Sequence, residues 1–234
     1  MNDTHVSQRE EWIIESIHRD KKGKRRYCIY TGAEEPILSV HEDILIKFRL
    51  MKGQLLTADD ITSIRNEDER YGAYALAIAY LGMKPRTRKA ISQYLTRKQF
   101  LEDNIQYALD RLESEQLVDD EQYARQFARS RLRAGQKGRL MIGQELQQRG
   151  ISKQAAAEAL SELDSDSELS AARRLAEKRV RQLKGDRKQK RMKLTAFLMR
   201  RGFPGSIVRE ALRGLEWEEE NRHNEEEDGV LLDN

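Results

Sequence analysis

The sequence predicts a mainly α-helical protein in which three tandem three-helix repeats form an elongated modular body behind a small β-rich N-terminal module. Three observations carry this. Only Pro36, Pro85 and Pro204 interrupt 234 residues, which leaves long stretches free to be helical. One set of apolar positions recurs with a period of about 51 residues. The first fifty-odd residues instead alternate short aromatic and β-branched runs with turn residues. The expected division is a module over 1–56, repeats over 57–116, 117–164 and 165–216, and an acidic, disordered tail over 217–234.

In the module, Trp12 to His18 and Arg26 to Thr31 read as strands joined by a hairpin loop at Asp20-Lys21-Lys22-Gly23-Lys24. Pro36-Ile37-Leu38 adds a third short strand. Ser39, three residues before Glu42, has capping-box spacing, and Ile44, Leu45 and Phe48 give the following helix an apolar face that Gly53 ends. Thr57 caps the next helix, whose first turn carries Asp59 and Asp60 on the side the helix dipole favours. A module of this size needs a neighbour to pack on.

The repeats align residue by residue. Ile91, Leu95, Phe100, Ile105, Ala108, Leu109 and Leu112 return 51 residues later as Ile142, Leu146, Ile151, Ala156, Ala159, Leu160 and Leu163. A further 52 residues on they are Leu194, Leu198, Phe203, Val208, Ala211, Leu212 and Leu215. Upstream of each set stands an Ala-x-x-Leu/Phe-Ala helix: Ala73-Leu76-Ala77, Ala124-Phe127-Ala128 and Ala172-Leu175-Ala176. The middle helix of each unit ends near Lys98-Gln99, Arg149-Gly150 and Arg201-Gly202, where glycine suits the left-handed residue after a helix. Thr87, Asp119 and Ser152 or Asp166 are candidate caps. The third unit has four extra residues between its first two helices, within Leu183 to Lys190. A period of 51 is too long for helix-pair repeats, so each unit has three helices.

Chemistry is hard to place on this scaffold. His5, His18, His41 and His223 are scattered, Cys28 is the single cysteine, and no spacing builds a zinc site. Gly135-Gln136-Lys137-Gly138 lacks the preceding strand and the spacing of a phosphate loop. Asp119-Asp120-Glu121 reads as a cap with dipole-complementing acids rather than a metal site. No catalytic residue, cofactor or metal is expected, and the chain is not read as an enzyme. No apolar run nears the roughly 18 residues of a membrane span, and no signal peptide is visible. The single cysteine suits a reducing compartment, so the expectation is a soluble, cytoplasmic monomer.

The 43 Lys and Arg nearly balance 40 Asp and Glu, but locally they separate. From Ala171 to Arg201 thirteen basic residues face only Glu177 and Asp186, a surplus of eleven. From Glu216 to Asn234 nine acids face Arg222, a surplus of eight. Arg125, Arg129 and Arg133 line one helical face of the second repeat, near Lys137 and Arg139. Arg174, Lys178 and Arg181 stand at i, i+4 and i+7 on a helix of the third, and Arg86 and Arg88 stand 51 residues before Lys137 and Arg139. Basic side chains at equivalent places make a track for nucleic-acid phosphates or for an acidic protein groove. Tyr71, Tyr74 and Tyr80 read as packing residues, so sequence-specific base readout is not indicated.

The run Leu112-Glu113-Ser114-Glu115-Gln116-Leu117-Val118-Asp119-Asp120-Glu121-Gln122-Tyr123-Ala124, followed by Arg129-Ser130-Arg131, resembles the signature of the RecX family of recombination regulators. The likeness extends through Leu146-Gln147-Gln148-Arg149-Gly150-Ile151 and Ala159-Leu160. Ser39-Val40-His41-Glu42-Asp43 and Lys52-Gly53 resemble the extra N-terminal module of members from Gram-positive bacteria. The resemblance spans roughly residues 10 to 215 and is most specific in the second repeat. It implies a bacterial cytoplasmic protein that binds the RecA recombinase, lies in the groove of the RecA–DNA filament and limits its extension or promotes its disassembly. The alternative is a helical-repeat protein that binds single- or double-stranded DNA without RecA.

Overall fold

The computed structural model describes residues 11–21 and 25–215. The tail expected over 217–234, and Lys22, Gly23 and Lys24 of the expected hairpin loop, lie outside the described residues. The chain divides into two compact units, over 1–119 and 120–234.

In the first unit the aromatic run after residue 10 forms two strands rather than one, β1 (Glu11–Ile13) and β2 (Ser16–Arg19). The chain changes partners between Ile14 and Glu15. The Ile14 N–H donates to the Gln54 carbonyl, while the Glu15 N–H donates to that of Tyr30, both at 2.9 Å. Thus β1 pairs antiparallel with a strand not expected from the sequence, β5 (Leu55–Thr57), with Trp12 opposite Leu56. β2 pairs with β3 (Arg26–Tyr30), and β3 with β4 (Leu38–His41), in an antiparallel meander. Ser39 therefore lies inside a strand. The cap of α1 (Glu42–Lys47) is His41, whose Nδ1 accepts from the Asp43 N–H at 3.2 Å. That helix closes on Phe48, well before Gly53.

Thr57 and Asp60 form the full capping box of α2 (Ala58–Leu81). Its first half sends Ile61 and Ile64 into the module's core with Ile14, Ile29, Leu38, Val40 and Leu56. Its second half sends Ala73 and Ala77 into a separate core with α3 (Arg88–Arg97) and α4 (Glu102–Ser114). Between them sits Asp68, 9% exposed, which accepts from the His41 N–H and from Arg26 Nη2, both at 2.7 Å. One carboxylate ties two strands to the middle of the helix.

The second unit holds α5 (Asp120–Arg133), α6 (Arg139–Gln148) and α7 (Lys153–Ser161), then α8 (Ser165–Val180), α9 (Arg187–Arg200) and α10 (Gly205–Arg213). Each triplet closes over its own core, the first around Leu146 and the second around Leu198, at the positions the repeat predicted. Thr87 and Ser152 cap α3 and α7 as expected, whereas the cap of α8 lies two residues before Asp166: Asp164 accepts from the Asp166 and Ser167 N–H groups. After the middle helices, Gln99, Gly150 and Gly202 take φ of 65°, 90° and 82°. The four extra residues of the third repeat become one more turn at the start of α9, Arg187 to Lys190.

Candidate polyanion-binding surface

The predicted basic residues fall into distinct environments. Arg86 lies over the Tyr80 ring, 4.1 Å from its centroid, and Tyr80 stacks on Tyr94. Arg88, the first residue of α3, reaches across to α4, donating to Asp110 and Gln106 at 2.8 Å each and also to Glu113. Burial works against its charge, but these partners outweigh burial and raise its pKa further. Arg125 and Arg129 share Glu162 at the end of α7, at 3.3 and 2.9 Å, while Arg125 also meets Glu121 at 3.2 Å. Arg133, exposed, donates to the Arg129 carbonyl at 3.4 Å and makes no ion pair among the described residues.

Lys137 belongs to a cluster that the sequence did not reveal. Glu145, 8% exposed, is approached by Lys137, by Arg131 at 3.1 Å and by Arg149 at 3.9 Å. Burial opposes ionisation of this carboxyl, but the Lys137 hydrogen bond and the surrounding charges prevail and hold it below the ordinary glutamate range. Arg131 and Arg149 also lie over Phe127, at 5.0 and 4.4 Å. The residue closing each middle helix does the same throughout: Lys98 over Tyr94 at 5.9 Å and Arg201 over Phe197 at 5.1 Å. The sequence signal was a basic residue at each of these equivalent helix ends.

Arg139 is part of the joint between the second and third repeats. Its backbone N–H and Nε donate to Glu168, fully buried, at 2.7 and 2.6 Å. The Gly138 and Leu140 N–H groups donate to the Arg201 and Gly202 carbonyls at 2.9 and 3.0 Å. The start of α6, which has no side-chain cap of its own, is thus completed by the next repeat. The fit requires glycine: a Cβ at Gly138 would fall 2.5 Å from the Gly202 oxygen and the Phe203 Cα, and one at Gly202 would overlap the Met141 backbone.

Arg174, Lys178 and Arg181 are exposed, and among the described residues they make no ion pair. The same holds for Lys184, Lys188 and Arg191, which follow in the loop and the first turns of α9. That first turn carries no acid, although the positive end of a helix dipole disfavours cations there; only the Asp186 cap opposes them. The C-terminal end of α8 and the N-terminal end of α9 therefore make a basic corner. Within the fold, acids meet most of the second repeat's cations and few of the third's.

Among the described residues, no helix is long and apolar enough to cross a membrane, and no group of three or more His, Cys, Asp or Glu is placed to hold a metal ion. Fold and surface together define a tandem three-helix-repeat protein with a strand-rich module in front and a basic third repeat. Family models described as the first, second and third three-helix domains of RecX match residues 73–112, 119–160 and 166–212. Proteins named regulatory protein RecX from Oceanobacillus iheyensis and Streptococcus gordonii are each 32% identical, over 88% and 90% of this chain and 78% and 81% of their own. A crystal structure of regulatory protein RecX is 30% identical with a TM-score of 0.73, covering 85% of this chain and 97% of its own. That of RecX from Lactobacillus salivarius is 26% identical with a TM-score of 0.59, covering 63% of this chain and 96% of its own. The chain belongs to the RecX family of regulatory proteins.

Proposed function

We propose that this protein binds the RecA–DNA filament and lowers RecA recombinase and ATPase activity, acting as a cytoplasmic monomer without cofactor or catalysis of its own. Membership of the RecX family supports the RecA half of this reading. The polyanion half rests on one observation: the exposed basic corner of the third repeat, where Arg174, Lys178, Arg181, Lys184, Lys188 and Arg191 have no ion-pair partner among the described residues. Cations without internal partners supply counterion release to a phosphate backbone without first giving up a bond. Arg125, Arg129, Arg133, Lys137 and Arg139 of the same unit, and Arg86 and Arg88 of the first unit, are further candidate contacts, with those already held by Asp110, Glu113, Glu145, Glu162 or Glu168 contributing less.

The test is RecA-dependent ATP hydrolysis and filament length at stoichiometric ratios of the two proteins. Slower hydrolysis and shorter filaments are expected. Unchanged values would sink the RecA reading and leave a DNA-binding repeat protein acting without RecA, which the same basic corner serves. A salt titration then measures the DNA contribution, because affinity for DNA falls log-linearly with salt at a slope set by the phosphates contacted.

A further inference from the structure

The chain carries its own polyanion. Residues 216–234 hold nine acids and one basic residue, and they follow directly on Leu215, which is buried in the core of the third repeat. We propose that this acidic segment docks on the basic corner formed by α8, the loop after it and the start of α9, and occupies it until a stronger polyanion displaces it. The inference rests on the reading of that corner as a polyanion-binding surface.

Charge, tether and supply of partners all favour this occupant. The corner brings Lys178, Arg181, Lys184, Lys188 and Arg191 together, exposed and in no ion pair among the described residues. Glu177, exposed on α8 beside Lys178, is the one acid within the basic stretch that could compete, and three others of the third repeat are already engaged. Glu168 is buried against Arg139, Asp186 caps α9, and Glu210 pairs with Arg213 and lies 3.9 Å from Arg173. Reach is no obstacle, since an extended chain covers ~3.3 Å per residue, so a segment this long spans on the order of 60 Å. The helix α8 that it must follow is only ~24 Å long at 1.5 Å per residue. A tether this short keeps the acids at an effective concentration in the millimolar range, so even a weak ionic contact is populated. The corner is exposed, so salt screens the contact over a Debye length of about 8–10 Å.

The consequence is a threshold. An isolated stretch of nucleic acid must displace the segment, whereas a dense, repeating array of phosphates outcompetes it because it offers more charge than the segment does. The device selects for ligand charge density and not for sequence.

Two variants of the full chain test this, with a fluorescent single-stranded DNA oligonucleotide of mixed sequence as the probe. In the first, every Glu and Asp of residues 216–234 becomes Gln or Asn, which keeps length and leaves the cores untouched. It should bind the DNA about tenfold more tightly at low salt, and the gain should vanish as salt approaches a few tenths molar. Zero-length carbodiimide coupling of the unmodified chain should join carboxylates of the segment to Lys178, Lys184 or Lys188. Equal DNA affinity in both chains would overturn the proposal. So would coupling only to lysines elsewhere, such as Lys47 or Lys52, because the gain would then come from net charge alone. The second variant adds Arg181→Glu, Lys184→Glu, Lys188→Glu and Arg191→Glu to the first. If neutralising the segment changes nothing but this variant loses DNA affinity, the docking fails while the corner stands. If neither changes binding, the reading of the corner fails with it.

Discussion

The second and third repeats are built on one plan and use their cations in opposite ways. Both place three helices around the same apolar positions, with Leu146 and Leu198 fully buried at equivalent points. In the second repeat the basic side chains close on acids of the fold. Arg125 and Arg129 meet Glu162, Arg131 and Lys137 meet Glu145, and Arg139 meets Glu168. In the third, Arg174, Lys178 and Arg181, likewise on one helical face, are exposed. Spacing alone therefore does not distinguish a cation that holds a fold together from one available to a ligand. The opposing acids do, and they are distant in sequence.

The largest expected effect breaks this contrast directly. The fourfold reversal Arg181→Glu, Lys184→Glu, Lys188→Glu and Arg191→Glu should lower DNA affinity by about a hundredfold at low salt and flatten the log–log salt slope by about 4. Arg125→Glu, Arg129→Glu and Arg133→Glu together should flatten it by only about 1, most of it from Arg133. Equal slopes for the two variants would erase the distinction. Next comes the joint between the repeats. Gly138→Ala should cost about 1–3 kcal/mol in urea denaturation, since its Cβ has no room beside Gly202. At the equivalent place in the first repeat Thr87 caps its own helix, so Thr87→Ala should cost about 1 kcal/mol.

Glu145→Gln should destabilise the second unit by about 1–3 kcal/mol, because it leaves Arg131, Lys137 and Arg149 facing one another. The pH dependence carries its own sign. The folded carboxyl titrates below its ordinary value of 4.5, so its contribution is complete above that pH and is lost as pH falls through the lower folded value. Acid denaturation curves of the variant should lack that share of the fall. The smallest effect sharpens the comparison from the other side. Glu162→Gln frees Arg129 and leaves Arg125 with Glu121 alone, should cost no more than about 1 kcal/mol, and should raise DNA affinity about twofold to threefold.

Much of the architecture was legible because its signals are local and repeated. The Ala and Leu positions of all three repeats, the Thr57, Thr87 and Ser152 caps, and the left-handed residue after each middle helix follow from spacing. The module was less so. That β1 hands over to β2 at Ile14-Glu15, and that β5 exists at all, depends on pairing with residues some forty positions away. The Ser39 cap failed for the same reason, since β4 claims that residue for a strand and leaves His41 to cap α1. For the basic surface, sequence supplied the candidates and only the fold supplied their neighbours. Glu145 looks like any helix-surface glutamate until α6 turns it toward Arg131 and Lys137.

Helix α2 has a consequence for how the first unit comes apart. Its 24 residues belong to two cores, with Ile61 and Ile64 in one and Ala73 and Ala77 in the other. No loop separates them, and Asp68 fastens the midpoint to the strands through His41 and Arg26. Fraying the helix from either end strips one core and unseats the shared span of the other. The module and the first repeat should therefore melt as a single foldon, and amide protons from Ile61 to Ala77 should exchange with one common opening free energy. Evolution could lengthen or reshape the strands in front, but an insertion within this rod would rotate one core against the other by about 100° per added residue.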